Sequence, residues 1–362
     1  MPVTISVYIA RQFAVWFAGV VAVSAVVVML IDMMELVRRA SSRPNVSMDT
    51  IATMAMLHLP HVLEITLPFT MLFAAMAALW RMSRHQELSV AKASGLSVWQ
   101  LLLPALATAF LIGVVKILAF NPLAATSLAI FEDMEARHFS KRPNNPLLSE
   151  AGLWLKDYSG AYDLIIHGQR LRAKDQVLED VTVLQFVERD RFNARIEAEK
   201  AHLTEGAWLF ENARVIGPGD SLEELENVIL ATKLDWSSLV ESVTNPRTTP
   251  VWRLPGFIQK IEAAGFSAAP HRVHFHATLA SPIGMCTMVI IAAGFTIRPP
   301  RRGGLLALIS LGALTGIGYH IFNQIFLRLG QSEQIPAMLA AWAPTACVLM
   351  LGTTWLLYTE DG

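Results

Sequence analysis

Charge is scarce in this chain. Of 362 residues only 16% are Asp, Glu, Lys or Arg, against 53% hydrophobic, and the mean hydropathy is +0.43. A soluble protein of this size does not carry so apolar a composition, so the chain reads as a polytopic membrane protein. The formal net charge is -1, which leaves no basic field and excludes nucleic acid as a partner class. Cysteine is scarcer still. Cys286 and Cys347 both lie inside apolar runs, so neither a disulfide framework nor a cysteine zinc site is available. The common chemical signatures are missing too. There is no G-x-x-x-x-G-K-[ST] loop to cradle ATP, no H-E-x-x-H and no G-x-S-x-G. No internal repeat is visible.

What the chain has is long, predominantly apolar runs. Six are long enough to cross a bilayer, which takes about 20 apolar residues: 12–33, 51–80, 98–120, 275–297, 303–327 and 336–358. Residues 2–11 are mildly amphipathic and read as a turn or two of interfacial helix. The first run is longer than a signal-peptide core, and no clear cleavage site follows, so it is taken as retained. Asn121-Pro122 is expected to break the third run. His58, His61 and Glu64 fall in the second. An intramembrane carboxylate is costly and by default suggests function. Its spacing from the two histidines also permits a purely structural pairing, which is the favoured reading. Lys116 sits near the far end of the third run, where its stem can snorkel to the interface. Gly312 and Gly316 form a small-xxx-small pair, with Gly318 nearby.

Residues 123–273 change character. A polar, helix-like start leads into the turn cluster KRPNNP. Short alternating runs follow, among them LWLKDY, DLIIHG, VTVLQFV and AWLFENARVI, separated or flanked by Gly152, Gly160, Gly168, Gly206, Gly217 and Gly219. The pattern predicts an antiparallel sandwich or jelly roll, then a glycine-closed helix over 254–265. Glu197 and Glu199 share a strand face and read better as a solvated face than as a catalytic pair. His271, His274 and His276 read better as an interfacial cluster than as metal ligands.

The fold class is therefore six transmembrane helices with an inserted antiparallel β jelly-roll domain. It divides as 1–122, 123–273 and 274–362. Arg11, Arg81, Arg84, Lys92, Arg298, Arg301 and Arg302 fall on one side, against Arg38, Arg39, Arg43 and Arg328 on the other. That excess orients both termini inside and the β domain outside. The stretch RMSRHQELSVAKASGLS, residues 81–97, then lies inside. Ser83 and Gln86 read as a capping box and Gly95 as a C-terminal stop, giving a helix over about 83–94, too short to span. Glu87, Leu88 and Ala91 share one face of it, beside Arg84 and Lys92. That face would suit a groove on a soluble partner; from spacing alone an ordinary cytoplasmic loop with an interfacial turn of helix is the preferred reading.

The stretches E87-LSVAKASGLS-97, G152-LWLKD-157, Y319-HIFNQIFLRLG-330 and I335-PAMLAAWAPT-345, in this order, carry a resemblance. Over essentially its whole length the chain resembles the permeases of the lipopolysaccharide export transporter, the LptF/LptG family. GLWLKD and the last stretch are closer to the LptG branch. The resemblance implies a non-catalytic subunit of an ABC transporter in the inner membrane. It would pair with an LptF-like sister permease, a dimeric cytoplasmic LptB-like ATPase that binds the ATP, and a single-span periplasmic LptC-like bridge protein. No cofactor is implied for this chain. Residues 81–97 would be the coupling helix, with Glu87 as its acidic contact. The first and fifth spans would line the lipopolysaccharide path, which points to Gly312, Gly316, Phe322 and Phe326. The outer part of the first span, Val26 to Met33, has no cation. Substrate phosphates would then fall to Arg38, Arg39 or the sister subunit, with Lys116 a further candidate; interfacial anchoring, or a pair with Glu35, is the plain alternative for the two arginines.

Two other functions compete. A membrane-anchored envelope enzyme would need a convergent acid/base or nucleophile set in 140–250, and none is found. An ATPase-coupled scaffold would share the short helix without needing an apolar cavity between spans.

Overall fold

A computed structural model describes residues 3–41, 46–139, 153–159, 162–172, 177–187, 191–204, 206–217, 222–232, 245–263, 267–296 and 304–361. Arg43, the KRPNNP turn, Gly152, Gly160, Gly219 and the basic stretch 298–302 lie outside the described residues. Two compact units result. One comprises Met1–Phe131, Arg247–Trp252 and Ala269–Gly362; the other comprises Glu132–Pro246 and Arg253–Ala268.

The first unit is helical. Its elements are α1 (Val3–Ala40), α2 (Met48–Arg84), the short α3 (Glu87–Ala93), α4 (Val98–Val115) and the part of α5 (Asn121–Phe139) up to Phe131, then α7 (Ala269–Thr296), α8 (Gly304–Gln331) and α9 (Ala337–Asp361). Among the described residues six helices are long and apolar enough to cross a membrane, α4 and α5 counting together as one. The expected interfacial turn at residues 2–11 is continuous with the first span, because no glycine or proline after Pro2 interrupts it before Gly19.

The expected break at Asn121-Pro122 is absent as well. A π turn at Lys116–Phe120 joins α4 to α5, and the Asn121 N–H reaches back to the Lys116 carbonyl. Pro122 has no N–H to give to an α-helical ladder. The wider turn takes up that defect in place of a break.

Packing centres on α7. Of its most apolar window 72% is buried, against 0% in α1. Met285, Met288 and Val289 of α7 pack with Leu67 and Met71 of α2 and with Ala105 of α4. Lipid is as apolar as leucine, so close contact rather than hydrophobicity holds such a bundle. Gly113 shows how close: a Cβ there would lie 2.5 Å from Pro282 Cα. By contrast α1 and α8 leave rows of large apolar side chains uncovered, including Val23, Val27 and Leu30 on α1 and Leu314, Ile321 and Ile325 on α8.

The second unit carries β1 (Leu153–Ser159), β2 (Tyr162–Arg172), β3 (Val177–Val187), β4 (Arg191–Thr204), β5 (Ala207–Ile216) and β6 (Leu222–Ala231), with α6 (Leu254–Ala263) after them. The six strands form one antiparallel sheet in chain order, a meander among the described residues. Alternation puts Leu164, Ile166, Val183, Ile196, Trp208 and Phe210 into one buried layer. Gly168 lies inside β2 rather than between strands, against Leu178. The sheet is rolled. Asp157 of β1 accepts hydrogen bonds from Trp208 Nε1 of β5 (2.9 Å) and from Thr232 Oγ1 just past β6 (2.6 Å). Four strand spacings would separate β1 from β5 by about 19 Å in a flat sheet. The inserted antiparallel domain is thus present, and the aspartate of the LWLKD stretch fastens its first strand.

Candidate functional site

The short helix α3 sits between two spans, as its polar sequence requires. Its start differs from expectation. The last turn of α2 runs through Ser83 to Arg84, so the Ser83–Gln86 capping box does not form. Gln86 instead turns through a left-handed φ of 60° and caps α3 without a side-chain bond. A capping box does exist, at Ser97 and Gln100, where a new apolar helix begins. Gly95, at φ 86°, ends α3 as expected. Its N–H bonds the Lys92 carbonyl (3.0 Å) and the Leu96 N–H bonds the Ala91 carbonyl (3.3 Å), a Schellman pair.

Leu88 is buried and Ala91 half-buried, both in the core shared by α1, α2 and α4. The apolar ridge of α3 therefore faces its own bundle, and its outward side presents Val90, 68% exposed, and Lys92. Glu87 opens α3. The Tyr8 hydroxyl of α1 donates to its carboxylate, 3.2 Å from each oxygen. Arg84 lies over the Trp80 ring, 5.5 Å from its centroid.

The remaining sequence candidates are spread over the unit. Arg38 Nε and Nη2 each donate to Glu35 at 2.8 Å, and Arg39 Nε donates to it at 2.9 Å. The plain alternative, a pair with Glu35, is what these side chains make. They stand about 30 residues, roughly 45 Å of helix, from Tyr8, beyond a hydrocarbon layer of about 30 Å. Gly312 and Gly316 meet α2. A Cβ at Gly312 would lie 2.7 Å from Met76 Sδ, and one at Gly316 2.8 Å from Phe69 Cδ1. Gly318, by contrast, faces open space, with nothing within 4 Å of where a Cβ would stand. The close approach seen at the glycine pair is thus of α2. Phe322 and Phe326, both half-buried, meet edge to face at 4.9 Å.

A polar cluster that the sequence does not assemble lies in the bundle. Glu64 does not pair with the histidines of its own helix. Lys116 Nζ stands 3.5 Å from its Oε1, both side chains nearly buried, and Asn121 Nδ2 donates to the same oxygen at 3.1 Å. In an α-helix, residues five apart point about 140° apart. The π turn, with its i→i+5 bond, brings Lys116 and Asn121 onto one side, and both reach one carboxylate. Lys116 is thus a partner of Glu64 rather than a snorkelling end residue. Asn121 Oδ1 in turn accepts from the Val251 N–H at 3.0 Å, fastening the segment Arg247–Trp252 to the bundle. His58 pairs with Asp32 of α1 at 2.8 Å and stacks on Phe131.

Beside this cluster is a cavity of about 170 Å³, lined by His61, Glu64, Lys116 and Arg247 with His274 of α7 and Tyr319 of α8. Glu64 to Arg84, Lys116 to Val98, His274 to Thr296 and Asn323 to Gly304 are each about 20 residues, or about 30 Å of helix. The cavity is therefore one hydrocarbon thickness from the α3 end of the bundle.

The family described as "Lipopolysaccharide export system permease LptF/LptG" matches residues 7–359. The chain belongs to this family. It is a multi-pass permease subunit of the lipopolysaccharide export system, a transporter component and not an enzyme. It is similar to the lipopolysaccharide export system permease protein LptG of Escherichia coli strain K12, 21% identical over 321 residues that cover 84% of each chain. The same protein of Escherichia coli O6:H1 matches to the same extent.

Within the family frame, sequence reasoning missed the Glu64–Lys116–Asn121 cluster and the Tyr8–Glu87 bond. The first needs a π turn that no local pattern announces. The second joins residues 79 positions apart. One signal was present for the first: two ionisable residues in adjacent apolar runs, each costly alone.

Proposed function

We propose that this chain is the LptG-type half of an inner-membrane ABC transporter that extracts lipopolysaccharide and passes it to a periplasmic bridge. Its termini and α3 lie in the cytoplasm and its β domain in the periplasm. An LptF-like sister completes the lipid path, an LptB-like dimer hydrolyses ATP, and an LptC-like single-span protein receives the lipid. The supporting observation is that α3 occurs together with uncovered apolar faces on α1 and α8 in a chain that matches the permease family over residues 7–359. Those faces suit a lipid path between two permeases. The docking side of α3 is Glu87 with Val90, Lys92 and Arg84, since Leu88 and Ala91 are committed to the chain's own core.

Tyr8 gives this reading a mechanical link. It is part of α1, and its hydroxyl holds the carboxylate of α3. A push on α3 is thereby transmitted to a helix that flanks the lipid path. The test is ATP-driven lipopolysaccharide release from the reconstituted complex. Glu87→Arg should abolish release while the permease still folds, because stranding a buried partner charge costs about 2–5 kcal/mol. Tyr8→Phe should leave the ATPase bound yet lower lipid released per ATP. Wild-type release by Glu87→Arg would remove α3 as the dock. Sidedness is tested with a cysteine at exposed Glu226. It should label from outside intact spheroplasts.

A further inference from the structure

The helices α8 and α9 are seated on different neighbours. Gly312 and Gly316 seat α8 on α2. Gly352 seats α9 on α7, where a Cβ would lie 3.3 Å from Ile290 Cγ2. At their linked end the two helices touch. A Cβ at Gly330 would collide with Ala340, and the Tyr319 and Thr345 hydroxyls share a 3.3 Å hydrogen bond. Beyond that bond they part, and a crevice of about 330 Å³ opens between them. Ile290 and Ile291 of α7 form its floor, Leu351 and Trp355 of α9 one wall, and Thr315 of α8 the other. We infer that this crevice binds one acyl chain of a bilayer glycerophospholipid. The inference needs only that these helices span a bilayer, and it goes beyond the transport reading.

The walls select hydrocarbon. No charged side chain is among the described residues that line the crevice. Thr315 donates its hydroxyl to the Leu311 carbonyl at 2.8 Å and so offers no free O–H. Depth selects a lipid tail. Ile291 precedes the last residue of α7, Thr296, by five positions, and Trp355 precedes the last of α9, Asp361, by six. Those are about 8 and 9 Å of helix, within the half of a roughly 30 Å hydrocarbon layer that lies on the α3 side. Leu351 is 71% exposed, so the crevice is continuous with the apolar surface that the spans present to lipid. Size selects a chain over a helix. One turn of helix, about 10–12 Å across and 5.4 Å long, fills roughly 400–600 Å³. That is more than the crevice holds, whereas pockets for small apolar ligands begin at about 300 Å³.

Bulk lipid wets any apolar face, so residence requires contacts that an open face lacks. In the crevice a chain meets protein on three sides; at Leu314, on the uncovered face of α8, it meets protein on one. Trp355 stands at the rim, half-exposed and edge-on to Phe295 at 5.4 Å. Indoles near a span's end favour the headgroup boundary. There the Trp355 N–H is placed to donate to the ester carbonyl of a glycerol-linked chain.

The test uses the full chain in vesicles of phosphatidylethanolamine and phosphatidylglycerol. These are doped with a phosphatidylethanolamine that carries a diazirine midway along one acyl chain. The protein is extracted and washed in maltoside before illumination, so that only retained lipid is near it. Mass spectrometry then counts lipids on the intact chain and maps the adducts. Wild type should keep a single phospholipid and carry adducts on crevice residues such as Ile291 and Leu351. Leu351→Trp and Thr315→Phe each fill the crevice and should lower the adduct at least about tenfold. Leu314→Phe, on the open face, should leave it unchanged. Because Leu351 is exposed, Leu351→Trp should fold even where Thr315→Phe does not. Absence of retained phospholipid in wild type overturns the site. So do adducts as dense around Leu314 as in the crevice, or a monodisperse Leu351→Trp protein labelled like wild type. Loss of the adduct when lipopolysaccharide is added before illumination also overturns it, by assigning the crevice to the transported lipid. No readout uses ATP or transport, so a failure here is separate from a failure of the transport reading.

Discussion

Lys116→Met tests whether the buried pair organises the bundle. Lys116 and Glu64 have side chains only 11% and 13% exposed, and Nζ stands 3.5 Å from Oε1. Removing the ammonium leaves a carboxylate in a largely apolar bundle with Asn121 as its remaining close partner. Breaking a buried pair from one side costs about 3–5 kcal/mol. Replacing both members at similar volume is often neutral, so Lys116→Met with Glu64→Gln should lie within about 1 kcal/mol of wild type. The single change Glu64→Gln should fall between, since it strands an ammonium whose stem can carry it towards the mouth of the cavity. The four proteins therefore order as wild type and double variant together, then Glu64→Gln, then Lys116→Met. Membrane proteins of this kind unfold irreversibly, so the assay is survival of the folded peak in detergent after a fixed heating step. The decisive quantity is non-additivity between the two sites. If Lys116→Met survives as well as the double variant, the pair carries no buried interaction. The account of the π turn as the device that assembles it then fails.

Three further outcomes follow from contacts. Leucine at Gly312 or Gly316 must displace Met76 or Phe69, whose atoms lie under 3 Å from a Cβ there. Each should cost about 1–3 kcal/mol in heat survival, whereas Gly318→Leu, facing open space, should cost little. Asp157→Ala should strand the buried Trp208 N–H and Thr232 hydroxyl and loosen β1, lowering the proteolytic resistance of the β domain by roughly 1–3 kcal/mol equivalent. Arg38→Gln with Arg39→Gln should reduce lipopolysaccharide bound per purified complex only if these arginines leave Glu35 for the substrate; unchanged occupancy assigns them to the Glu35 pairing seen here.

Much of the architecture is legible in the sequence alone. Spans follow from length and apolarity, because a bilayer leaves a chain few ways to satisfy its backbone. The inserted sheet follows from period-two alternation, and Gly95 as a stop from the left-handed turn it makes. The family follows from the order of four stretches. These are local properties, or sums of them.

The partners of side chains were decided by tertiary structure. Asn121-Pro122 looked like a break, but the helix continues through it, with a π turn at Lys116–Phe120 in place of the break. Ser83 and Gln86 had the spacing of a cap, yet α2 runs through Ser83 to Arg84, and a capping pattern acts only where its first residue begins a helix. Gly312 and Gly316 promised a close approach without saying of what, and the answer was α2. Leu88 and Ala91 showed a ridge without its direction. Above all, Glu64 and Lys116 are 52 positions apart, and only the fold sets one carboxylate against one ammonium. Sequence shows that a charge in an apolar run must be compensated; which residue compensates it depends on how the helices pack.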